Sequence, residues 1–132
     1  MLLTMNVLFV CIGNSGRSVM AERLFRRVAG ERHQVRSAGV QAGRTAEPVV
    51  VEALGELGVD ASDHVPRQLD QEAIDWADVV VTVCDDAACP VTPGKRRIAV
   101  PFPDPYGRAI EEVRPIRDAI HARVRELAEE LG

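Results

Sequence analysis

Apolar residues in this chain cluster in two ways: short continuous runs, and longer stretches in which they recur at helical spacing. Asn6 to Val10 is a short apolar run that stops at a Gly/Ser-containing loop, which predicts a buried strand. From about Ser18 to Ala29, Met20, Leu24 and Val28 are four apart and line one helical face, and Gly30 follows as a C′ residue. Gln34 to Ser37 predicts a second short strand. Ala46 to Leu57 predicts a helix with Val50, Leu54 and Leu57 on its buried side, Pro48 in its first turn and Gly58 closing it. Asp70 to Asp75 predicts a short helix. Asp78 to Val83 is a continuous β-branched run, the composition of a strand covered on both faces. Arg97 to Val100 is a weaker strand. Ile110 to Leu131 is a long amphipathic helix with Ile116, Ile120, Val124, Leu127 and Leu131 in register, and Pro115 is expected in or near its first turn.

Strands that alternate with helices imply crossover connections and a parallel sheet of about four strands, with helices on both faces. The expected fold is therefore a three-layer α/β/α. Ligands on such sheets sit beyond the carboxyl ends of the strands. Both Cys11 and Cys84 fall there.

A length of 132 residues without repeats, low-complexity tracts or linkers is read as one domain over residues 1–132. The net charge of −4 argues against nucleic acid or an acidic membrane as partner, so any anion site must be built locally from backbone dipoles and one or two cations. The N-terminal MLLTMNVLFVCIGN lacks a positive n-region and a small-residue cleavage site, and no apolar run is long enough to span a bilayer. Three cysteines, Cys11, Cys84 and Cys89, without an export signal suggest reduced thiols in a cytoplasm, where such residues are more often catalytic or metal-binding than structural.

The chemistry concentrates in Cys11-Ile12-Gly13-Asn14-Ser15-Gly16-Arg17-Ser18. A cysteine, five residues, an arginine and a serine lie between a strand and a helix. Five residues curled over a helix N-terminus turn several N–H groups inward and make an anion-binding nest. Gly13 and Gly16 permit positive φ and close backbone approach. Arg17 would close the ring with a planar fork matched to a tetrahedral oxyanion. The same field favours a thiolate at Cys11, to which Ser18 can donate a hydrogen bond. Asn14 is suited to holding the loop through side-chain to backbone bonds.

The segment VLFVCIGNSGRSVMAE resembles the signature of the low-molecular-weight tyrosine phosphatases and of the arsenate reductases that share their fold. Arg36-Ser37-Ala38-Gly39 is similar to that family's second strand and turn, Asp78 to Asp85 to its buried central strand, and Asp104-Pro105-Tyr106-Gly107 to its general-acid loop. The resemblance implies Asp104 as the general acid, which suits the need for a proton donor near the displaced oxygen.

A phosphatase needs only Cys11, Arg17 and Asp104. An arsenate reductase also needs two electrons, hence further thiols. Cys84 ends the central strand, and Cys89-Pro90 follows a short loop, in a pattern that resembles the redox loop of thioredoxin-linked arsenate reductases. The bland alternatives are a buried core thiol at Cys84 and a loop residue without a role at Cys89. Substrate size points the same way as the thiols. Val40-Gln41-Ala42-Gly43-Arg44 holds no aromatic residue, and Tyr106 alone follows Asp104-Pro105, so the rim suits a small inorganic oxyanion better than a phosphotyrosine ring.

Two departures from the resemblance concern electrons and ions. Thioredoxin-linked members carry a second cysteine where this chain has Gly16, and the redox loop here is shorter, so the donor is either thioredoxin or a low-molecular-weight thiol with a redoxin. Asn14, Glu22 and Ser37 match part of a monovalent-cation site of some relatives, but Val65 and Arg67 replace its last pair, and Arg67 would put a cation at or near that place. No metal and no bound cofactor are expected. The leading expectation is a monomeric arsenate reductase acting on arsenate, with phosphate as its analogue. The alternatives are a phosphomonoester hydrolase acting on phosphotyrosine or arginine phosphate, and a non-enzymatic oxyanion-binding or redox-sensing module.

Overall fold

The structure, a computed structural model, describes residues 4–84 and 94–132. The elements run β1 (Asn6–Cys11), α1 (Arg17–Ala29), β2 (Gln34–Gly39), α2 (Pro48–Gly55), α3 (Gln71–Trp76), β3 (Val79–Thr82), β4 (Arg96–Ala99) and α4 (Ile110–Leu131). The four strands form one sheet in the order β2-β1-β3-β4, and every pairing is parallel. The expected three-layer α/β/α arrangement is what forms. Alternation along the strands divides the core. Val7, Phe9, Val79 and Val81 face α1, α2 and α4, while Leu8, Val10 and Val80 face Ala73 and Trp76 of α3. β1 and β3 are buried on both sides, which explains their unbroken apolar sequences. Each fully buried Val, Leu or Phe contributes about 1.5–3 kcal/mol relative to its exposed state.

Boundaries differ from expectation for local reasons. β2 runs on to Gly39 because Gly39 sits beside Cys11 in the β1 register and its other edge bonds the 67–69 segment, with Gly39 N donating to Arg67 O at 2.9 Å and Leu69 N to Gly39 O at 2.8 Å. α2 begins only at Pro48 and ends at Gly55. Beyond it the chain tightens into three-residue turns, Leu57 N to Leu54 O and Gly58 N to Gly55 O, with Gly58 at φ 76°. Pro115 lies inside α4, in its second turn and so near the first as expected. The N–H it lacks is therefore one the helix would otherwise have used.

α4 is tied to α2 by a half-hidden ion pair. Arg117 is buried, and its Nη1 donates to Glu56 Oε1 at 2.7 Å and to Ala53 O at 2.8 Å. Arg114 approaches the same carboxylate from outside through Nη2 at 2.7 Å.

Candidate active site

The order β2-β1-β3 puts the carboxyl ends of the two central strands side by side, with Val10 paired to Thr82. The 12–16 loop leaves β1 here and turns into α1. Its shape is held by Asn14, which is fully buried and takes a left-handed conformation at φ 51°. Asn14 Oδ1 accepts from Arg67 N at 2.9 Å, its carbonyl oxygen accepts from His64 Nε2 at 3.0 Å, and its Nδ2 donates to Ser18 Oγ at 2.7 Å.

The left-handed position that Gly13 and Gly16 would permit belongs to Asn14. An asparagine tolerates it, and here its amide anchors the loop to a segment about fifty residues away in sequence. Gly16 instead has φ −140° and is required by close approach: a Cβ on it would stand 2.6 Å from Glu47 Oε2 and 2.8 Å from Pro105 Cγ. Gly39 serves the loop from β2, where a Cβ would meet Ile12 O at 2.5 Å and Asn14 N at 2.8 Å.

Cys11 is a buried free thiol whose Sγ lies 2.9 Å from Ser18 Oγ. Gly16 is the N-cap of α1 and no side chain caps that end, so the positive end of the helix opens beside the sulfur. Cys11, Ile12, Gly13, Ser15, Gly16 and Arg17 line one side of a cavity of about 450 Å³, and Arg44, Glu47, Asp104 and Tyr106 line the other. Arg17 is buried; its Nη1 donates to Phe102 O at 3.0 Å and its Nη2 lies 3.9 Å from Asp104 Oδ2. Asp104 is more than half exposed, and its Oδ1 accepts from Tyr106 N at 3.0 Å, which turns the carboxylate toward the cavity. Tyr106 itself is 77% exposed, so its ring stands at the rim, and among the described residues no second aromatic lines the cavity.

Cys84 is buried just past the end of β3, with its Sγ 3.9 Å from Val10 O, one residue before Cys11 on the neighbouring strand. It is disulfide-bonded. Cys89 and the loop that leads to it lie outside the described residues.

A second cavity of about 480 Å³ lies behind the loop and is lined by none of Cys11, Arg17 and Asp104. Glu22, Ser37 and Arg67 meet there, with Ser37 Oγ donating to Glu22 Oε1 at 2.7 Å and Arg26 Nη2 3.2 Å from Glu22 Oε2. Arg67 thus borders the place where some relatives were expected to hold a monovalent cation. Among the described residues no group of three or more His, Cys, Asp or Glu side chains could hold a metal ion. Likewise, none of the described helices is long and apolar enough to cross a membrane.

Sequence reasoning did not single out Glu47, Arg44 or His64. Glu47 carried a faint signal as the residue before the helix-opening Pro48. The other two carried none, because their roles depend on contacts across the fold.

Comparison with known proteins agrees with this geometry. An arsenate reductase of Brevibacillus brevis is 38% identical over 126 residues, covering 93% of each chain. The crystal structure of arsenate reductase from Archaeoglobus fulgidus superimposes with a TM-score of 0.84 at 35% identity, covering 93% of this chain and 98% of that one. A thioredoxin-dependent arsenate reductase of Corynebacterium glutamicum gives a TM-score of 0.79 at 34% identity, matching 97% of this chain but 61% of its own. Residues 6–132 match the model of the low molecular weight phosphotyrosine protein phosphatases, and the chain belongs to that family.

Proposed function

We propose that this protein is an arsenate reductase in which Cys11 is the nucleophile, Arg17 and the 12–18 backbone hold the oxyanion, and Asp104 is the first proton donor. The observation that carries the reading is the pair of thiol positions at adjacent strand ends: a free Cys11 in an anion loop, and Cys84 behind it next to Val10. The names of the relatives support the same substrate.

The Cys11 thiolate attacks arsenic while Asp104 protonates the leaving oxygen, so that a sulfur–arsenic bond forms and water departs. Cys84 then attacks the Cys11 sulfur. The electron pair of the sulfur–arsenic bond passes to arsenic, which leaves as arsenite, and a Cys11–Cys84 disulfide forms. Cys89 attacks Cys84, frees Cys11 and leaves a Cys84–Cys89 disulfide. An external thiol reductant, thioredoxin or a small thiol with a redoxin, restores the dithiol in the cytoplasm. The thioredoxin-dependent relative favours the first donor.

A second reading draws on the family itself. Cys11, Arg17 and Asp104 without the later thiols are enough to hydrolyse a phosphomonoester through a phosphocysteine. The bare rim, with Tyr106 alone, favours arsenate over an aryl phosphate as the physiological substrate.

The test is arsenite formation with thioredoxin and with a small thiol plus redoxin, beside hydrolysis of phenyl phosphate. Cys89→Ser should stop multiple turnover with thioredoxin and trap a Cys11–Cys84 disulfide visible by mass spectrometry, while phosphatase activity of the reduced enzyme survives. Full reductase activity in a Cys84/Cys89 double variant supplied with a small thiol would replace the internal relay with the small-thiol route. Brisk phosphotyrosine hydrolysis without arsenite from any donor would make the second reading the right one.

A further inference from the structure

Reduction and hydrolysis differ in how many protons they consume. In the reduction, hydrogen arsenate dianion, two thiols and two protons become arsenous acid, water and one disulfide. Hydrolysis of a phosphate ester at neutral pH takes up no net proton. One external proton is accounted for by Asp104. The other has no donor in the residues that a phosphatase requires.

Glu47 is placed to be that donor. It stands at the N-cap of α2, yet its carboxylate does not cap the helix. Its backbone is fixed on both sides, with Glu47 N donating to Ser15 O at 2.9 Å and Glu47 O accepting from Val50 N at 2.9 Å. The side chain folds back over the anion loop, where Oε2 comes within 2.6 Å of the point a Cβ on Gly16 would occupy. It shares the cavity wall with Cys11, Arg17, Arg44, Asp104 and Tyr106. No described residue forms a hydrogen bond or salt bridge with its carboxylate, so any proton it carries is not committed elsewhere.

We propose that Glu47 is a second proton-donating carboxyl of this site, serving the oxygens of the departing arsenite as Asp104 serves the first water. The proposal rests on the reductase reading. Electrostatics agrees with the geometry: burial, and after it the charge of Asp104, push the Glu47 carboxyl up to about 7 against the opposing pull of Arg17. A Cys11 thiolate would push in the same direction as Asp104, and Arg44 would act with Arg17.

The experiment compares Glu47→Gln and Glu47→Asp with wild type in single-turnover arsenite formation and in hydrolysis of p-nitrophenyl phosphate, whose leaving group needs no proton. Glu47→Gln should slow arsenite formation about tenfold or more near neutral pH. Arylphosphate hydrolysis should fall by a clearly smaller factor, and an unchanged thermal melt shows that the variant is folded. Glu47→Asp should recover part of the loss. The ratio of wild-type to Gln rates should shrink as pH rises through about 7, where wild type itself loses the proton; arsenate's own ionisation cancels in that ratio. Equal losses in both reactions, or a ratio independent of pH, would overturn the role of Glu47. If wild type forms arsenite and Glu47→Gln matches it at every pH, only this inference falls. If wild type forms none, the reductase reading falls and takes the proton step with it.

Discussion

The Ser18 hydroxyl is hydrogen-bonded on both sides, 2.9 Å from Cys11 Sγ and 2.7 Å from Asn14 Nδ2. An amide nitrogen can only donate, so Ser18 Oγ must accept from Asn14 and its own proton is left for the sulfur. A hydroxyl whose direction is set in this way stabilises negative charge on Cys11 without competing for it. Ser18→Ala should lower the rate of iodoacetate alkylation of Cys11 near neutral pH, and the turnover of arylphosphates, by about tenfold or more, since a hydrogen bond to a charged group contributes about 1.5–3 kcal/mol. Wild-type rates in this variant would mean that the helix terminus and Arg17 suffice.

Asp104 holds its place through Oδ1, which accepts from Tyr106 N, and presents Oδ2 toward Arg17. Asparagine can keep the first contact and has no proton of the right acidity to give. Asp104→Asn should leave phosphate affinity nearly unchanged and slow hydrolysis of phenyl phosphate by about a hundredfold. With p-nitrophenyl phosphate the loss should be clearly smaller. Equal losses for good and poor leaving groups would remove Asp104 from the acid role.

The α2–α4 clasp makes stability depend on pH in a defined window. Hydrogen bonds from Arg114 and then Arg117 hold the Glu56 carboxyl down at about 2, against an ordinary value of 4.5. A carboxyl depressed on folding stabilises the protein fully above its unfolded value, and that contribution fades as pH falls through the folded one. Urea melts should therefore find Glu56→Gln less stable than wild type at neutral pH, with the difference closing between about 4.5 and about 2. A gap that persists at the acid end would assign it to packing rather than to charge.

What could be read from the chain alone was what is contiguous in it. Cys11 to Ser18 carries its chemistry in one stretch, and the apolar runs of β1 and β3 announce strands covered on both faces. Positions set by distant partners were not legible. The left-handed residue is Asn14 because Arg67 and His64, far along the chain, donate hydrogen bonds that hold its side chain and its carbonyl. Glu47 lies in the cavity because α2 starts at Pro48 and turns the preceding side chain back over Gly16. The bounds of α4, Ile110–Leu131, were legible because its apolar face repeats without a break along the chain.

Asn14 precedes Ser15, a pairing whose amide is open to slow deamidation when the next backbone nitrogen can swing onto it. In the folded chain that amide is fully buried and held at both ends, by Arg67 N and Ser18 Oγ, so the cyclising approach is blocked. Conversion to aspartate would remove the donor to Ser18 and set a negative charge beside the thiol. The chemical ageing of this loop is thereby tied to how often the domain opens: a preparation should lose activity by this route at a pace set by unfolding rather than by storage time as such.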